Sequence, residues 1–67
     1  MQSYAIQGMT CDHCVRAVIK ALGKVPGVTQ VLRVDLARGE ALLEGAPDEQ
    51  AILTAVRAEG YEATRIP

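Results

Sequence analysis

The sequence predicts an α+β domain: a four-stranded antiparallel sheet with two helices on one face, in the order strand, helix, strand, strand, helix, strand. Three observations lead there. Short strand-like runs lie at 3–7, 28–35, 40–44 and 62–66. Two longer stretches, 12–22 and 48–59, carry apolar residues at helical spacing. Glycine and proline separate these segments at Gly8, Gly23, Pro26-Gly27, Gly39, Gly45-Ala46-Pro47 and Gly60.

In residues 3–7, Tyr4 and Ile6 alternate with Ser3, Ala5 and Gln7, the pattern of a half-buried strand. Gly8 breaks it and opens a loop with Met9, Thr10 and Cys11. The helix over 12–22 buries a stripe of Cys14, Val18 and Leu22, flanked by Val15, Ala17 and Ala21. Thr10 or Asp12 is expected to cap it with a side-chain oxygen. Asp12, Arg16, Lys20 and Lys24 recur every fourth residue on another face, with the acid first and the bases after it, the order that suits the helix dipole. Ala37-Arg38-Gly39 turns the strand at 28–35 into the strand at 40–44 as a hairpin. Pro47 sits near the start of the second helix, where a missing N–H costs little, and Asp48 and Glu49 suit its positive end. Its buried stripe is Ile52, Ala55 and Val56 with Leu53 beside them, and Gly60 stops it. This order is the split βαβ, or ferredoxin-like, arrangement.

The chain has 67 residues, which bounds it to one domain, 1–67, with a small core. Hydrophobic residues make up 49%, too many for a disordered segment, and only 3% are aromatic, so Val, Leu, Ile and Ala must build the interior. A formal net charge of -1 and few aromatics give no support to nucleic-acid binding. No apolar run approaches the ~20 residues that span a bilayer, so no membrane insertion is expected. Met1-Gln2-Ser3 lacks the charged and apolar regions of a signal peptide, so the expected location is the cytoplasm. The terminal strands reach both chain ends, which favours a free-standing protein.

Gly8-Met9-Thr10-Cys11-Asp12-His13-Cys14 holds both cysteines and the only histidine. A Cys-x-x-Cys pair at a helix start serves thiol redox chemistry or soft-metal binding. The unpaired N–H groups there lower thiol pKa values and stabilise the negative charge left when two thiolates hold one monovalent cation. Soft thiolates select Cu(I) among physiological ions. A structural zinc site is closed by four ligands. Here any beyond Cys11 and Cys14 would have to come from His13, Met9 or carboxylates. Met9 reads as a core filler or a thioether ligand. His13 reads as a solvated side chain or as a participant when two molecules share copper in a copper-bridged homodimer. Tyr61 reads as a cover for the core edge or as a group that shields the ion or donates its hydroxyl to a thiolate. The Arg16, Lys20 and Lys24 stripe is a solvated face or a docking surface.

The motif Gly8-Met9-Thr10-Cys11-x-x-Cys14, with Val25-Pro26-Gly27-Val28 and Gly60-Tyr61-Glu62-Ala63, resembles the heavy-metal-associated domain family across the whole chain. The likeness is strongest to bacterial copper chaperones and the soluble domains of copper-transporting P-type ATPases. It implies that Cys11 and Cys14 are Cu(I) ligands, that Met9 is a buried support for the loop, and that Thr10 marks a copper-type member. Eukaryotic members tend to carry lysine where Tyr61 stands, so Tyr61 points to a bacterial type. The implied function is a non-enzymatic Cu(I) metallochaperone whose partner is the metal-binding domain of a copper-transporting P-type ATPase. An excised domain of such an ATPase, a thiol oxidoreductase and a zinc or mercury binder are the alternatives. One departure concerns the strand at 28–35. Val28, Val31 and Val34 fall out of simple alternation, so one extra residue is expected near Gln30–Arg33, absorbed by a β-bulge on an edge strand.

Overall fold

Strand β1 (Gln2–Gln7) lies inside the sheet and turns Tyr4 and Ile6 into the core. The computed structural model describes residues 1–67. Helix α1 (Asp12–Gly23), strands β2 (Val28–Asp35) and β3 (Glu40–Gly45), helix α2 (Glu49–Ala58) and strand β4 (Glu62–Ile66) follow in the expected order. The sheet order is β2-β3-β1-β4, and every neighbouring pair is antiparallel. The βαββαβ, ferredoxin-like architecture read from the sequence is the architecture of the molecule.

One core joins the layers. Tyr4, Ile6, Ala41 and Leu43 come from the central strands, Val18 and Leu22 from α1, Val25 from the turn after it, and Ile52 and Val56 from α2. Each buried aliphatic side chain contributes about 1.5–3 kcal/mol of transfer free energy, so burial of this core favours the fold. Tyr4 is fully buried, and its hydroxyl donates to Gln2 Oε1 at 2.8 Å, which satisfies the one polar group it takes inside.

Two expectations need correction. Neither Thr10 nor Asp12 caps α1: Cys11 is the N-cap residue, and no side-chain hydrogen bond caps the helix. Thr10 cannot do so because it lies one residue before the cap, and Asp12 is already helical. The β2 strand carries two register shifts and not one, between Val28 and Gln30 and between Val31 and Arg33. Val28, Val31 and Val34 face Gly45, Leu43 and Ala41, so three residues of β2 span two of β3 at each step. A strand whose core residues recur every third position needs one bulge per repeat to keep them on one face. β2 is an edge strand, where bulges are tolerated and hinder pairing with another chain.

Candidate metal centre

The end of β1 and the start of α1 build the site. Gly8 has φ +104°, a conformation open to glycine, and turns the chain out of the strand into the loop. Met9 is half-buried and packs against the core, which ties the loop down. Cys11 is extended, at φ -160°, and its carbonyl accepts the N–H groups of Cys14 at 3.0 Å and Val15 at 3.3 Å. The helix therefore begins between the two cysteines: Cys11 stands before its first turn and Cys14 within it. The sulfurs are 3.9 Å apart, and both thiols are free.

This distance suits one shared ion. Two metal–sulfur bonds of about 2.3 Å span at most about 4.6 Å when collinear. The two sulfurs would thus both be within reach of one shared ion. No group of three or more His, Cys, Asp and Glu side chains comes together anywhere in the molecule. His13 and Asp12, adjacent in sequence to the cysteines, are exposed.

The two thiols are not equivalent. Cys11 is exposed, whereas Cys14 is half-buried. Hydrogen bonding to the Thr10 backbone, then to the Tyr61 side chain and the Thr10 hydroxyl, with a smaller share from the Cys11 backbone, lowers the Cys14 pKa from 9.0 to about 6 against the opposing effect of burial. Thr10 Oγ1 lies 3.7 Å from Cys14 Sγ. At neutral pH Cys14 is therefore largely a thiolate, ready to bind metal without first losing a proton. Tyr61 shows the other half of the interaction: its pKa is raised, first by the hydrogen bond to Cys14, then by burial and by the negative charges of Cys14, Cys11 and Glu59. Its hydroxyl therefore stays protonated at neutral pH.

Of the residues singled out in the sequence, Thr10 and Cys11 lie beside the Cys14 sulfur. Met9 sits beneath the loop, and His13 stands apart. The sequence reading named Thr10 as a supporting residue of the site without saying which sulfur its hydroxyl meets; it lies by Cys14. The available signal was a hydroxyl four residues before Cys14, which the capping rule had assigned to the helix backbone instead.

Two free thiols at the positive end of a helix, with no cluster of three His, Cys, Asp or Glu side chains around them, have the chemistry of a soft-metal site. The sequence matches the heavy-metal-associated domain over residues 3–62, and the chain belongs to that family. It is 46% identical over 61 residues to a copper-transporting ATPase 1 of Rhizobium meliloti, covering 88% of this chain and 7% of that protein. It is 46% identical over 66 residues to a mercuric reductase of Shigella flexneri, covering 96% of this chain and 12% of that one. The chain thus spans a small fraction of the curated relatives it matches. Among solved structures, the apo copper chaperone of Enterococcus hirae superposes with a TM-score of 0.87 at 30% identity, covering 98% of this chain and 100% of that one. No helix is long and apolar enough to cross a membrane.

Proposed function

We propose that this domain carries Cu(I) as cargo. It takes up one ion through Cys11 and Cys14 in the cytoplasm and passes it, by thiolate exchange, to a similar domain of a copper-transporting P-type ATPase. The observation that carries the reading is the pair of sulfurs 3.9 Å apart with no cluster of three His, Cys, Asp or Glu side chains around them. Two soft ligands favour a monovalent soft ion over zinc, which prefers four. They also leave the ion open to an incoming thiolate. Exposed Cys11 is the sulfur an approaching partner meets first. Mercury is equally soft, and the likeness to a mercuric reductase keeps it as a competing cargo. The likeness to copper-transporting ATPases favours a second reading, in which the domain is itself the receiving module of such a pump.

Exposed Arg16, Lys20 and Lys24 run along α1 away from the site, and this stripe supports docking to an acidic partner surface. The experiment is anaerobic transfer: Cu(I)-loaded protein is mixed with the metal-binding domain of a copper-transporting ATPase from the same cell and the two are separated. Copper distributing between the domains within minutes supports the reading. Copper that stays on the donor, or leaves only through free solution, contradicts it.

A further inference from the structure

We propose that the groove between α1 and α2 seats a second copy of this chain, laid face to face about a two-fold axis that runs along the groove. The groove opens to solvent and encloses about 720 Å³. Ala17 and Ala21 from α1 and Ala51 and Ala55 from α2 line it, half-buried and too short to fill it. It is thus an apolar surface the chain leaves uncovered, where small side chains let another backbone come close.

Charge on the two walls selects the occupant. The α1 wall carries Lys20 and Lys24 and no acid, and the α2 wall carries Asp48 and Glu59 and no base. All four are exposed, and the two ion pairs of the chain, Arg57–Glu62 and Arg65–Glu49, involve none of them. A partner surface of one sign would meet like charge on one wall. A second copy brings both signs, as a self-complementary interface requires.

The topology fixes the orientation. β1 and β2 both run antiparallel to β3, so α1 runs back against β1 and α2 runs along it. The helices are therefore antiparallel, and Lys24, the C-cap residue of α1, shares one end of the groove with Asp48, the N-cap residue of α2. Rotation about an axis along the groove lays each α1 over the other copy's α2 and keeps the ends together. Lys24 then meets Asp48 of the second copy, twice. An axis across the groove would instead set α1 on α1 and lysine against lysine. The first arrangement leaves both Cys11 and Cys14 loops side by side at one end of the pair, so it needs no copper and differs from a dimer bridged through the thiols.

The size of the face sets the strength. The two longer extents of the molecule, 27 Å and 20 Å, allow at most about 540 Å² per copy, or about 1,100 Å² in all, the low end for a specific complex. The association is therefore weak and reversible.

Sedimentation equilibrium of the metal-free Cys11→Ser, Cys14→Ser variant tests the proposal, since that protein can neither share copper through its thiols nor form disulfides. At low salt the average mass should rise above that of one chain between about 10 µM and about 1 mM. Lys24→Glu and, separately, Asp48→Lys should each weaken association about tenfold, because each reversal sets like charges together twice. The two combined should restore it, which a folding defect at the start of α2 could not do. A chain that stays monomeric up to about 1 mM would leave the groove to a different protein and overturn the proposal. A dimer that ignores both single reversals, or that the combined variant fails to restore, would overturn it as well.

Discussion

The two ends of this molecule are built on opposite principles. At the metal end, Cys11, Thr10 and His13 are exposed, and the sulfurs are held by hydrogen bonds and not by packing. At the other end, backbone lies directly on backbone. The Ala46 N–H donates to the Gly27 carbonyl at 3.1 Å, Gly45 leaves no room for a Cβ against the Gly27 carbonyl, and a Cβ on Gly27 would meet Pro47 Cα at 2.8 Å. Pro47 is buried there, and Gln2 Nε2 reaches its carbonyl at 3.5 Å. The closed end and the core are where packing is tightest, and the cysteine end lies outside them. Metal-free protein is therefore expected to be folded, unlike a zinc finger.

The sharpest way to break this contrast is Gly45→Ala. The methyl group would collide with the Gly27 carbonyl, and φ +115° adds strain of its own. A loss of about 3 kcal/mol is expected from overlap and backbone strain together. Urea denaturation of metal-free protein reads it. A midpoint within experimental scatter of the parent would show that the closed end is not where stability resides.

A smaller effect is expected from reversing charges along α1. Lys20→Glu with Lys24→Glu should slow copper transfer to an acidic partner by about tenfold at low salt, because charge complementarity acts mainly on encounter. Cu(I) affinity should stay within about twofold, since both lysines lie beyond the first turn of α1. The parent rate should fall with salt as the Debye length shrinks to about 10 Å at 0.1 M. A salt-independent rate, equal in parent and variant, would reduce the stripe to a solvated face.

The smallest effect sharpens the account of Cys14. Its pKa is lowered from 9.0 to about 6 in the folded chain. A group whose folded pKa is depressed adds stability that is fully present above its unfolded pKa and is lost as pH falls through the folded one. Metal-free protein should therefore gain stability from about pH 6 to about pH 9, and Cys14→Ser should flatten that rise. An identical rise in the variant would place its origin elsewhere.

How much of this was legible in the sequence differs between the same two ends. The order of elements and the core positions Tyr4, Ile6, Val18, Leu22, Ile52 and Val56 follow from apolar periodicity, which burial enforces. The cysteine spacing and its place at a helix start were legible for the same reason. The irregular strand was read as one bulge because alternation alone shows that a residue is extra. Only the pairing of Val28, Val31 and Val34 with Gly45, Leu43 and Ala41 shows that the interruption repeats. The caps were misread because a hydroxyl before a helix has two possible uses, and here Thr10 turns to sulfur. The contacts between Gly8 and Tyr61 and between Gly27 and Gly45 join residues distant in sequence, where periodicity carries no information.

The central claim is that two thiolates on a prefolded domain hold one Cu(I). Anaerobic titration of the reduced protein with Cu(I), against a competing chelator and with zinc present, tests it most directly. The expected result is one Cu(I) per chain, undisturbed by zinc, with high-affinity binding lost in the Cys11→Ser, Cys14→Ser double variant while its circular dichroism matches the metal-free parent. Undiminished Cu(I) affinity in the double variant, or displacement of copper by zinc, would contradict it.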